Sequence, residues 1–289
     1  MEMTQSLKHK LDRFYSDYDF QGRIAHDPIE LPHQYTRPED IEISGFIASC
    51  FAYGKVTLFK PVVKALLSRM GPSPSDFLLH FNVSSQRDLF AGLRYRFNRN
   101  DDFIGLLYVL SRVLRKYGSL ESAFKQHYRK SDSSVEGGLA GLIDIFLGLD
   151  MAAVYGNDMR REGLLQFFPS PSRGSACKRM NMFLRWMIRD RDIDFGIWKG
   201  IPKNKLVIPL DVHIARISRC LGFTRRSAQD WKTAVEITES LKTMDPEDPL
   251  KYDFALCHQG IAGVCSSMHC AECALFGKAD NDVGKTGRT

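Results

Sequence analysis

Apolar residues recur along this chain at three- and four-residue intervals, and that period predicts helices almost from end to end. Leu7, Leu11, Phe14 and Tyr15 give the first, over 7–18. A proline-bearing stretch over 25–38 interrupts the period. Ile43, Phe46, Ile47, Cys50 and Phe51 then share one face of a helix that Asp40 is placed to cap. Gly54 breaks it, a further helix covers 58–70 and stops at Gly71-Pro72, and Ser75 opens a short one reaching Phe81. Phe103, Leu106, Leu107, Leu110, Val113 and Leu114 repeat the helical spacing until Gly118, after which Ser119 and Ser122 can cap a helix reaching His127. A polar loop over 130–138, a short apolar helix over 141–149 and a turn over 167–175 follow, and then a strong helix over 176–188. Strand-like alternation is nearly absent, and Leu206 to Pro209 is too short to change the class. The expectation is an all-α protein of roughly ten or more helices.

Composition narrows the classes. With 44% hydrophobic and 26% charged residues, the chain has the profile of an ordinary globular protein. No apolar run approaches the roughly 20 residues needed to span a bilayer, and the polar stretch from Met1 to Tyr15 is not a secretory signal. A cytoplasmic protein with no membrane partner is expected. The net charge of +6 permits a polyanionic partner without demanding one. Seven cysteines, an odd number, with Cys50, Cys177 and Cys220 inside apolar or helical segments, read as reduced thiols rather than a disulfide framework.

The most informative stretch is Pro209-Leu210-Asp211-Val212-His213-Ile214-Ala215-Arg216. It sets a carboxylate between an apolar run and the start of a helix, where the dipole favours negative charge. By itself a plain N-cap accounts for Asp211, since capping is far commoner than catalysis. The stretch resembles the Val-Asp-Thr-His-x-x-Arg signature of the endonuclease III and adenine-glycosylase branch of the helix-hairpin-helix DNA glycosylases. It matches at Asp211, His213 and Arg216, with Val212 in place of threonine. The resemblance implies that Asp211 is the catalytic carboxylate, and that His213 and Arg216 are structural or DNA-facing. It also implies an upstream hairpin whose backbone amides hold a DNA phosphate. The usual Leu-Pro-Gly-Val-Gly string is absent, and Arg173, Gly174 and Ser175 stand in its place ahead of the strong helix.

That helix resembles one in the archaeal 8-oxoguanine glycosylases, where a catalytic lysine stands four residues before a phenylalanine and eight before a methionine. Alignment on Phe183 and Met187 puts Arg179 at the lysine position. Helical projection agrees: Ala176, Met180, Phe183 and Met187 form the apolar stripe, Arg179 borders it, and Lys178 points away. Arginine cannot form a Schiff base. The expected nucleophile is therefore water activated by Asp211, with Arg179 and Lys178 as the neighbouring catalytic candidates. Phe183, Trp186 and Phe51 are candidates to stack on an extruded base, although core packing suits each of them as well.

Near the C-terminus, Cys265-x4-Cys270-x2-Cys273 follows an apolar helix that ends in glycine and carries Cys257. It resembles the end of the endonuclease III branch, where four cysteines spaced C-x6-C-x2-C-x5-C hold a [4Fe–4S] cluster. Here the fourth position is Ala279, so such a site is incomplete unless Cys257 is recruited. No cofactor is expected, with zinc or a degenerate iron–sulfur site at Cys257, Cys265, Cys270 and Cys273 as the alternative. Nine Lys/Arg against three acidic residues between Arg173 and Lys205 offer charge to neutralise phosphates, or else a solvated helix face.

Taken whole, with its strings at Phe46–Gly54, Tyr95–Phe97 and Cys177–Met187, the chain resembles a bacterial family without assigned activity related to the archaeal 8-oxoguanine glycosylases. The resemblance implies two helical domains flanking a cleft. One is 41–204 with the hairpin; the other is 1–40 plus 205–289, with Asp211 and the cysteines. It further implies a monomer at the nucleoid that excises a damaged base, such as the oxidised purine 8-oxoguanine, from double-stranded DNA. Two rivals remain: a nucleic-acid-binding protein without catalysis on the same scaffold, and an unrelated helical protein in which Asp211 only caps.

Overall fold

The structure, a computed structural model, describes residues 2–156 and 161–261. Among these the chain forms helices and 3-10 turns without a strand, and its β-character is confined to the isolated bridges Tyr95–Asn98 and Ser175–Asp230. The expected all-α class is the one adopted. The longer helices are α1 (Glu2–Ser16), α2 (Pro38–Phe51), α3 (Val56–Met70), α4 (Asn100–Tyr117), α5 (Glu136–Leu147), α6 (Lys178–Ile188), α7 (Val212–Cys220), α8 (Trp231–Lys242) and α9 (Asp253–Ile261). None of the described helices is long and apolar enough to cross a membrane.

The local signals act much as their chemistry dictates. Pro38 opens α2, where a missing amide hydrogen costs nothing. Gly118, at a φ of 82°, ends α4, and the Ser119 side chain then accepts from the Ser122 amide to start the short helix Leu120–Lys125. The proline-bearing stretch becomes three 3-10 turns, Ile24–His26, Pro28–Glu30 and Pro32–Gln34.

α2 is buried from Asp40 to Phe51 and packs on α6 at the centre of the molecule. Its two buried carboxylates serve other helices. Asp40 does not cap α2 as its position suggests. It accepts from Ser73 Oγ (2.8 Å), Ser75 N (2.9 Å) and Ser75 Oγ (2.8 Å), and so holds the start of the short helix Pro74–Leu79. Glu42 accepts from Leu120 N (2.9 Å), Glu121 N (3.0 Å) and Trp198 Nε1 (2.7 Å). Burial pushes the Glu42 carboxyl up to about 7 against those bonds. Each carboxylate thus meets the positive end of a helix dipole.

On the other flank α7 packs against α9. A Cβ on Gly260 would stand 2.7 Å from His213 Cβ, so only glycine lets the two helices approach this closely. The carboxylate of Asp12 on α1 accepts from Tyr252 Oη (2.6 Å) and pairs with Lys251 Nζ (2.8 Å), docking α1 beside the entrance to α9. Buried side chains from Leu11 to Leu256 form one continuous apolar cluster. Cys50, Cys177 and Cys257 are free thiols.

Candidate active site

A cleft of about 1180 Å³ is lined by the end of α2 and start of α3, the N-termini of α6 and α7, one side of α9, and Ala25–Pro28. Its lining thus draws on 41–204 and on both flanking stretches.

Asp211 is the N-cap of α7, and its two oxygens differ. Oδ1 accepts from His213 N and Ile214 N, both at 2.9 Å, which is the cap. Oδ2 faces the cleft, 3.7 Å from Lys178 Nζ and 3.6 Å from Cys257 Sγ. The capping and chemical roles therefore coexist, one on each oxygen. At 3.7 Å the ammonium and carboxylate attract without a tight hydrogen bond between them. Lys178 is the first residue of α6, set by a left-handed Cys177 at φ 49°.

This overturns the expected register on α6. Lys178, not Arg179, is the residue at Asp211. Arg179 also lines the cleft, but its guanidinium is committed to the Cys50 and Gln166 carbonyls and lies over the Tyr53 ring. Lys178, Met182 and Arg185, spaced as one helical face, all line the cleft. Phe183 and Trp186 lie fully in the core, where Phe183 meets Phe46 and Trp198 edge-on. Phe51 is likewise buried, packed between Phe103 and Phe167. None of these three lines the cleft. The apolar stripe of α6 marks the core; the side pointing away from it is the side the cleft uses. Four residues after Lys178 stands Met182, which fills the wall place that the alignment gave to a phenylalanine.

Cys257 is part-buried in the cleft wall. Burial first, and then the Asp211 charge, push its thiol well above the ordinary value, so it donates to the carboxylate as a neutral S–H. Cys265, Cys270 and Cys273 lie outside the described residues.

Below these groups runs a buried charge network. Arg185 pairs with Asp194 (3.3 Å) and Asp253, and Arg189 with Asp192 (2.7 Å), Asp194 (3.0 Å) and Asp248 (2.9 Å). Two guanidiniums serve four carboxylates. Burial, opposed by Arg185 and reinforced by the Asp211 charge, pushes Asp253 up to about 6. The network fastens α6 to the first turn of α9, and so sets Lys178 and Cys257 around Asp211.

Sequence reasoning missed several lining residues. Tyr53 stands two residues beyond Phe51, at the end of the string already singled out. Asp27 accepts from His258 at 3.1 Å, and the His258 ring lies 4.2 Å from that of Phe254. Nothing local signals a pair separated by 231 positions. Of the residues expected at phosphate, Arg173 and Gly174 are exposed on the turn before α6, with Gly174 left-handed at φ 77°. Ser175 and His213 line the cleft. Arg216 instead turns to α9 and donates to the Gly260 carbonyl at 3.3 Å. The basic run between Arg173 and Lys205 is not one charged face either, because Arg179, Arg185 and Arg189 spend their charge inside the protein.

A family model described as "Protein of unknown function (DUF2400)" matches residues 27–262. No curated protein and no solved structure matches the chain.

Proposed function

The chain belongs to the DUF2400 family, and from the geometry of its cleft we propose that it is a DNA glycosylase with a coupled lyase step, in which Lys178 is the nucleophile and Asp211 its base. The observation that carries this reading is the 3.7 Å approach of Lys178 Nζ to the oxygen of Asp211 that the helix cap leaves unused. The signature resemblance at Asp211, His213 and Arg216 supports it independently.

The substrate is double-stranded DNA whose damaged base, an oxidised purine such as 8-oxoguanine, is turned out of the stack into the cleft. Tyr53, Met182, Phe254 and His258 offer flat or polarisable walls there. Asp211 takes the proton of the Lys178 ammonium. The freed lone pair bonds to C1′ as the glycosidic bond breaks, and the base leaves with the bonding electrons and takes up the proton that Asp211 holds, which restores the carboxylate. The carboxylate also stabilises the positive charge that develops on the sugar. Ring opening leaves a protonated imine between Nζ and C1′. The Asp211 carboxylate takes a C2′ proton, the C–H electrons expel the 3′ phosphate, and water hydrolyses the imine to return the amine. This replaces water with lysine as the nucleophile, because the structure turns Lys178 toward Asp211 and Arg179 away from it.

The test is borohydride reduction during reaction with duplexes carrying 8-oxoguanine, uracil, an alkylated base or an abasic site. A covalent protein–DNA adduct is expected with the wild type and none with Lys178→Gln. An adduct that survives in Lys178→Gln, or base excision without any adduct, would return the nucleophile to another residue or to water.

A further inference from the structure

The Tyr95–Asn98 turn takes no part in the chemistry above, yet it is built with unusual care. Tyr95 and Asn98 exchange backbone hydrogen bonds of 3.1 and 2.9 Å. Asn98 is fully buried and donates from Nδ2 to the Gly163 carbonyl at 2.7 Å, while Tyr95 Oη donates to the Tyr53 carbonyl. Arg96, at the tip, has a φ of 52°, a conformation that an L-residue other than asparagine or aspartate rarely adopts. This rigid base presents one ring outward. Phe97 is 53% exposed and is the only exposed phenylalanine or tryptophan among the described residues.

Phe97 stacks on Tyr53, with ring centroids 5.6 Å apart and planes 17° from parallel, and Tyr53 lines the cleft. The Arg96 guanidinium lies over the same Tyr53 ring. Arg94, Arg96 and Arg99 are all exposed around the turn. An aromatic ring among three exposed arginines at the cleft mouth suits a polyanion with stacked bases better than an apolar protein surface.

We propose that Phe97 is the wedge that enters the DNA base stack beside the extruded nucleotide, a role that rests on the glycosylase reading above. Turning a base out leaves a gap, and an apolar ring filling it offsets the lost stacking. A ring held on a fixed turn loses little conformational freedom on insertion. The exposed arginines meet the phosphates on either side.

The experiment uses the full chain and a short duplex with a tetrahydrofuran abasic analogue next to 2-aminopurine, against the same duplex without the gap. Wild type should favour the gapped duplex and change the 2-aminopurine emission on binding. Phe97→Ala should lose about tenfold in affinity for the gapped duplex, together with the emission change. Its affinity for the intact duplex should stay within about twofold, because the phosphate contacts remain. Phe97→Trp should keep both the preference and the emission change. Unchanged preference and emission in Phe97→Ala, with imine trapping intact, would overturn the wedge and leave the glycosylase reading standing. Failure of the wild type to bind either duplex would overturn both.

Discussion

Asp211 lends one oxygen to the backbone and the other to the cleft, and the two can be separated by substitution. In Asp211→Asn the amide oxygen can still accept from His213 N and Ile214 N, so the start of α7 survives. The amide cannot take the Lys178 proton or stabilise a cationic sugar. Excision is expected to fall about 100-fold or more, with DNA affinity and thermal midpoint nearly unchanged; full activity in a folded Asp211→Asn protein would remove the carboxylate from the mechanism. Asp211 was legible from its local string, because a cap followed by His213 and Arg216 at fixed offsets is a property of adjacent residues. Lys178 projects away from the apolar stripe of α6, and the sequence offers it as a catalytic candidate only beside Arg179, which the alignment favours. The apolar stripe of α6 was placed correctly, but a stripe shows where the core is and leaves open whether the opposite face meets solvent or a cleft.

At the scale of elements, the arginines of α6 are internal fasteners. Arg185 is enclosed between Asp194 and Asp253, and its removal leaves two carboxylates buried with too little positive charge. Arg185→Met should destabilise the protein by about 3–5 kcal/mol, measured as a drop in the denaturant midpoint, with excision falling alongside as α9 loosens from α6. A midpoint within experimental error of wild type would show that the network is not what joins these helices. Composition could not reveal this. A run of Lys and Arg looks the same whether its charges face phosphate or buried aspartates, and Asp253 stands 68 positions from Arg185. For the same reason the sequence places Asp40 as a cap of α2 and gives no sign of Glu42, while each holds the start of a distant helix.

For the whole molecule, a net charge of +6 becomes meaningful only through its placement. Lys55, Arg94, Arg96, Arg99 and Arg173 are exposed on the turns bearing Tyr53, Phe97 and Gly174, whereas Lys60 and Lys64 are paired with Glu30. If four of the exposed cations meet phosphates, log affinity for duplex DNA should fall against log salt with a slope of about −3 to −4. Fluorescence anisotropy over a salt series measures it. A flat dependence would rule out phosphate recognition by this face and favour a non-nucleic-acid ligand for the cleft.

The sequence by itself determined the class and most helix limits of this protein. Those depend on near neighbours: a 3.6-residue apolar period, Pro38 opening α2, Gly118 closing α4, Ser119 starting the helix that follows. It also determined Asp211 as the cap of α7, a role that adjacent residues fix. Only the tertiary structure decided which polar face of α6 borders the cleft, which arginines are spent internally, and that Cys257 stands beside the second oxygen of Asp211. It likewise brought Asp27 to His258 and Phe97 to Tyr53. Such pairings arise because burying the apolar faces of all the helices in one core leaves their remaining faces few places to go, and that packing is settled by the whole chain at once.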